Sequence, residues 1–347
     1  MAVLSGGVFE SAPDDLSDLR NLADEIGERS FAERIGHRGL PDTFDGAAWR
    51  HLEDAGLTRL DSSVESGGGP VEVAVILRSL ARHCVTVPLA ETDVLAGWLA
   101  ARAGLEVPDR GPLTIATGLQ SVPYAADAAA VVLALPDGDQ LRVAVRRPDE
   151  LSITRGHNPG GEPRDMIGAD LPASAFVTVD AAVELSRRGA WARCVQVIGA
   201  LDAAVEFSVA HTREREQFGR PLSALQSVQH TLASMAGEIE RARAAADLAV
   251  AAAADHGFDS PQTDYAVTVT KVTLGQVVPI VITAAHQLHG AIGVTIEHRL
   301  WLATQRARSW IGEFGDTAHH ALRLGRLALA ADDPWDLIVG DVTHPSG

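Results

Sequence analysis

Two short segments carry the residue types best suited to holding a phosphate group. The first runs Arg213-Glu214-Arg215-Glu216-Gln217-Phe218-Gly219-Arg220-Pro221-Leu222 and is followed by Gln226, Gln229, His230, Leu232 and Ala233. It lies in a connection between helical stretches, where the Arg215 guanidinium can reach a diphosphate with two parallel hydrogen bonds. Gln217 and the Phe218 amide add donors, and Phe218 offers a ring face. The same guanidinium can instead pair with Glu214 or Glu216 on a solvated helix end, and taken alone the segment favours that plainer use. The second segment is Gln287-Leu288-His289-Gly290-Ala291-Ile292-Gly293-Val294-Thr295. Glycine at 290 allows a ligand close to the backbone.

Other candidate chemistry is thinner. His286, His289, His319 and His320 raise the question of a metal, but no His-Glu-x-x-His pair or cysteine partner accompanies them, so packing or surface histidines are expected and no metal. Gly67-Gly68-Gly69 reads as a turn, because no P-loop lysine or dinucleotide-fold strand pattern surrounds it. The two cysteines, Cys84 and Cys194, form no CxxC pair, which points to a reducing compartment and the cytoplasm. A formal charge of −17 argues against nucleic acid as a partner. Met1 to Glu10 lacks the features of a secretory signal, and no membrane span is expected.

The elements that must position these residues fall into three zones along the 347 residues. From about Pro13 to Ala103 the texture is helical. Leu16, Leu19, Ala23 and Ile26 share one face after a start signal at Ser11–Asp15. Trp49, Leu52 and Ala55 mark a short helix that Gly56 ends, and Val73, Ile76, Leu77 and Leu80 form a third apolar face. In the middle, the apolar run Val131 to Leu135, the turn Pro136-Asp137-Gly138-Asp139 and alternating Leu141, Val143 and Val145 predict a β-hairpin, with Ala175 to Val179 as a closing strand.

Helical texture then returns. Cys194, Ile198, Leu201, Val205 and Val209 make one stripe; Val228, Leu232, Met235, Ile239, Ala242, Ala246 and Ala249 make another. A third helix covers about Pro261 to Leu288 with a bend at Pro279, and a fourth starts near Ile296. The reading is mainly α with inserted β: an N-terminal helical domain (1–110), a central β domain as a truncated barrel (111–182), a C-terminal four-helix bundle (183–331) and a loosely ordered tail (332–347).

Taken together, and in this order on a helical background, the two segments resemble the acyl-CoA dehydrogenase family. Its patterns are R-x-Q-F-G-x-P-L followed by Q-x-x-Q/K-x-x-L-A, and Q-x-H-G-G-x-G-x-T. Trp49, Leu52, Gly56 and Leu57 resemble a further N-terminal element. The resemblance implies FAD as cofactor, an acyl-CoA thioester as substrate and electron-transfer flavoprotein as electron acceptor. It places Arg215, Gln217, Phe218 and Gln226 on the flavin nucleotide. Gln287, Gly290 and Ala291 would meet the ADP part from a neighbouring subunit, Ala291 standing where the family has a second glycine.

The family also needs a carboxylate to remove the proton α to the thioester carbonyl. Its helix position falls here at about Gly189 and its loop position at Phe314. Neither is acidic. Glu313, one residue early, is the candidate base, and Asp316 a poorer one; both also read as solvated loop-end charges. The β domain lacks the family's T-E-P-x-x-G-S-D-like segment and its W-I-T/S strand. Both losses resemble the smaller chain of actinobacterial α2β2 acyl-CoA dehydrogenases, in which a fuller homologue supplies the glutamate for bulky steroid side-chain CoA esters. The resemblance therefore implies a hetero-oligomer with a larger homologous subunit. A self-sufficient homo-oligomeric enzyme using Glu313 and a flavin-free structural subunit stand as alternatives.

Overall fold

The computed structural model describes residues 14–34, 42–62, 67–295 and 298–339. Helices α1 (Asp14–Arg34), α2 (Gly46–Asp54) and α3 (Pro70–Arg82) open the chain, followed by a π-helical turn (Ala90–Gly97) that continues into α4 (Trp98–Arg102). Local chemistry sets their ends. The Asp45 carboxylate accepts from the amides of Ala47 and Ala48 to start α2, and Gly56 leaves it with φ +73°, the left-handed turn that glycine makes without a Cβ penalty. Pro70 occupies the first turn of α3, where its missing N–H is no loss.

Seven short strands follow: β1 (Leu113–Ala116), β2 (Val122–Pro123), β3 (Ala130–Asp137), β4 (Gln140–Arg146), β5 (Ser152–Thr154), β6 (Arg164–Gly168) and β7 (Val177–Val179). One sheet has the order β1-β3-β4-β7 and the other β2-β6-β5. The expected hairpin is β3–β4, in register from Val131↔Arg146 to Asp137↔Gln140, so Gly138 and Asp139 form the turn. Its closing neighbour is the shorter β7, since residues 173–175 wind as a 3-10 turn. Ala116, Val122, Val131, Leu133, Ala144 and Ile167 form a small core within this β module.

The rest is helical: α5 (Ala182–Glu214), a two-stranded ribbon β8 (Glu216–Gln217) and β9 (Arg220–Pro221), then α6 (Gln226–His256), α7 (Pro261–His289), α8 (Leu300–Ile311), α9 (Thr317–Ala330) and α10 (Pro334–Val339). The predicted apolar stripes are the bundle interior, where Ile198, Leu201, Met235, Ile239, Ala242 and Ala246 join Leu274, Val278 and Trp310. Helix α7 continues through Pro279, which faces outward. The fourth helix starts at Leu300; Ile296 lies outside the described residues, as do residues 1–13 and 340–347. Of the tail, Pro334–Val339 is helical.

Ala182–Glu214 and Pro261–Val294 are each long and apolar enough to cross a bilayer, but 67% and 56% of their most apolar stretches are buried inside the protein. Their hydrophobicity is spent on the bundle core. Helix α5 is also the axis that relates the two sites below. From Arg193 to Arg215 it spans roughly 33 Å at 1.5 Å per residue.

Candidate functional site

A cavity of about 450 Å³ opens between the β module and the helices. Leu95, Ile115, Ala134, Leu141 and Leu185 give it apolar walls, and Thr117, Gln120 and Ser121 supply polar groups from the loop between β1 and β2. That loop stands where the sequence lacks the family's longer segment, and its polar side chains escaped the sequence reading.

The floor of the cavity is a closed ion network. Arg193 reaches from α5 to Glu313 Oε2 through Nε at 2.7 Å, to Glu91 at 2.5 Å and to Gln196 at 2.6 Å. Arg164, on β6, donates to Glu313 Oε1 at 2.8 Å. Glu162 accepts from Trp310 Nε1 at 2.9 Å and lies 3.9 Å from Arg164. The π-helical turn aims Glu91 inward, the kind of place where such turns recur.

Burial alone pushes the Glu313 carboxyl up, but the charges of Arg193 and Arg164 outweigh it and hold the group down at about 2. A carboxylate stabilised in this way by two guanidiniums is a weak proton acceptor. Glu313 therefore lines this cavity in an electrostatic state that does not suit a base. Asp316 is the N-cap of α9, accepting from the His319 amide at 2.8 Å.

Phe314 and Gly189 explain why neither customary position holds an acid. The Phe314 ring lies against Gly189, and a Cβ at 189 would overlap that ring. The two positions that could each carry a glutamate face one another, and the aromatic ring fills the space between them. Phe314 adopts φ +53° and Gly315 φ +93°, a tight reversal fixed from below by Lys271. This is the only lysine in the chain. Fully buried, it donates to the carbonyls of Ile311 at 2.7 Å and Glu313 at 2.8 Å.

The phosphate-suited residues lie elsewhere, at the far end of α5. Arg215 caps that helix, its amide bonded to His211 O at 2.9 Å. Register Gln217↔Arg220 leaves Phe218 and Gly219 as a two-residue turn, both with positive φ, 54° and 73°. Asparagine or glycine suits such a turn best, so the phenylalanine is held in a costly conformation, and its ring is 87% exposed. Arg215, Gln217, Gln226, Gln287, Gly290 and Ala291 are exposed as well. Among the described residues Arg215 forms no ion pair with Glu214 or Glu216. Gly290 adopts φ +63°, ψ −144°, a region open almost only to glycine, and a Cβ there would meet nothing. The conformation, and not crowding within this chain, calls for glycine.

Both segments meet at this end of the bundle, since His211 and His289 stack at 4.5 Å between ring centroids. A guanidinium with no counter-ion among the described residues, adjacent amide donors and an open glycine backbone offer groups for a dinucleotide's phosphates, so the residues present fit that group. The structure also brings in Arg193, Arg164, Glu91, Glu162 and Lys271, which the sequence reading missed. A charged residue within the apolar run Ala190–Ala204 was a visible signal for Arg193. Nothing local marks the others.

Comparison with known proteins agrees with this picture. Residues 180–329 match the acyl-CoA dehydrogenase C-terminal domain family. Acyl-CoA dehydrogenase IpdE2 of Mycolicibacterium smegmatis is 26% identical over 274 residues, which is 76% of this chain and 82% of that protein. The ChsE4-ChsE5 complex from Mycobacterium tuberculosis shares the fold at a TM-score of 0.77 and 22% identity, over 92% of this chain and 98% of its own. A Tcur3481-Tcur3483 steroid ACAD variant does so at 0.76 and 24%, over 91% and 98%. The C-terminal bundle thus belongs to the acyl-CoA dehydrogenase C-terminal domain family, and the chain shares its fold along nearly its whole length with the steroid ACAD and ChsE4-ChsE5 structures.

Proposed function

We propose that this chain is a flavin-site subunit of an acyl-CoA dehydrogenase complex, working on an acyl-CoA thioester beside a larger homologous subunit that provides the catalytic carboxylate. One contrast carries the reading: the Arg215 guanidinium is exposed with no counter-ion among the described residues, while the Glu313 carboxylate is held by two. Arg215, Gln217 and the Phe218 amide would hold the diphosphate of FAD, with Gln226, Gln287, Gly290 and Ala291 beside it across a subunit junction. FAD supplies the acceptor for the hydride that leaves the β carbon, and electron-transfer flavoprotein would take the electrons onward. The apolar cavity of about 450 Å³ suits a bulky acyl group, and the likeness to a steroid ACAD supports a ring-bearing CoA ester.

A self-sufficient enzyme would need Glu313 free of Arg164 and Arg193. The exposure of the seven cofactor candidates also suits a flavin-free structural subunit. Flavin counting separates these readings. The chain is expected to be colourless when purified alone and to carry flavin when co-purified with a neighbouring homologue, which then turns over a steroid side-chain CoA ester. A yellow, active chain on its own would establish the self-sufficient enzyme, and a stable complex in which this chain's flavin-contact residues have no effect on flavin content would establish the scaffold.

A further inference from the structure

Three histidines far apart in the sequence converge behind the Arg215 end of the bundle. His211 lies in the last turn of α5, His289 ends α7 and His298 precedes α8. Each offers one ring nitrogen, and these nitrogens all lie within 4.8 Å of one another. The rings of His289 and His298 stand 4.7 Å apart between centroids, close to the His211–His289 spacing.

His289 is the informative member. Its side chain is 5% exposed, and its Nδ1 is bonded to the Ala285 carbonyl at 2.8 Å. With the ring proton donated to that carbonyl, which can only accept, the buried Nε2 presents its lone pair and no well-formed hydrogen bond satisfies it. The Phe207 backbone also lies against the ring and favours its protonated form, so an ion must displace that contact. Buried polar atoms are nearly always satisfied, and a backbone carbonyl on one ring nitrogen is how proteins prepare the other for a metal. The carbonyl ends of two long helices, α5 and α7, point toward the same spot, and their partial negative charge favours a cation.

We infer that His211, His289 and His298 form a site for a divalent transition ion, Zn2+ foremost, which ties the last turn of α5 to the end of α7 and the start of α8. Three imidazoles suit Zn2+, and the half-exposed His211 and His298 leave a fourth position to water. Bond lengths of about 2.0–2.1 Å require the rings to close by side-chain rotation. His298 must also give up the Leu300 amide that its Nδ1 accepts at 3.1 Å. The buried lone pair of His289 is the fixed point of the site.

The test uses Co2+ alone, titrated into the full chain after treatment with chelator and in the absence of flavin, so that failure of the flavin reading leaves it unaffected. One Co2+ per chain is expected, with the visible absorption of a four- or five-coordinate ion and displacement by Zn2+. His289→Gln should abolish the signal. His211→Ala, at a half-exposed position where the fold tolerates the change, should weaken binding at least tenfold, and the exposed-site control His51→Ala should leave it unchanged. Absence of the absorption, or equal Co2+ binding by the wild type and His211→Ala, would overturn the assignment.

Discussion

Helix α5 joins two charged regions that are built in opposite ways. Around Arg193 every described charge is used inside the chain: Glu91, Glu162 and Glu313 face Arg164 and Arg193, and the network floors a cavity. Around Arg215 the described polar groups face outward, and the exposed Phe218 is held at positive φ. Low dielectric makes the first cluster stiff and costly to disturb. The second contributes little to this chain's own stability. Such a contrast suits the proposed flavin-site subunit, whose buried acid is tied down and whose exposed donors remain open to a dinucleotide at a subunit junction.

Disturbing the closed region should have the largest effect. Arg193→Met leaves Glu91 and Glu313 short of a buried counter-ion, and a broken buried pair costs about 3–5 kcal/mol. Chemical denaturation of the variant should show that loss; a midpoint unchanged from wild type would mean the network is not closed. Acid should weaken the same region. The folded Glu313 carboxyl sits at about 2 against an ordinary 4.5, so its contribution, roughly 3 kcal/mol, is whole above 4.5 and disappears as the pH falls through about 2. The stability gap between wild type and Glu313→Gln should therefore shrink between pH 6 and pH 3, about the lowest practical value, and a constant gap would contradict the ion pairing.

Smaller effects sharpen the contrast further. Asp316→Ala removes the α9 N-cap and should cost about 1 kcal/mol, measurable by thermal unfolding, with no change in substrate turnover. Least of all should turnover of the co-purified complex respond to Glu313→Gln. A loss of rate as large as removal of a general base brings, about 10²-fold or more, would return Glu313 to the role of base.

The two regions also differ in how far they could be read in advance. The Arg215 ribbon, the β3–β4 hairpin and the bundle stripes depend on neighbours a few residues apart, so type and spacing revealed them. The cavity floor depends on pairs separated by 102, 120 and 149 residues. From the sequence, Glu313 was an acid one residue away from a useful position. Only the fold shows that β6 and α5 each bring an arginine to it, and that the Phe314 ring occupies the space over Gly189. Long apolar helices read alike whether a bilayer or a bundle covers them, and here α5 and α7 turn much of that surface into the bundle.

The most direct test of the central claim is the flavin content of the co-purified complex carrying Arg215→Ala. Charge-assisted hydrogen bonds of about 1.5–3 kcal/mol predict flavin affinity lower by roughly 10- to 100-fold, while unfolding of the isolated chain stays within about 0.5 kcal/mol of wild type. Undiminished flavin binding by that variant would contradict the account.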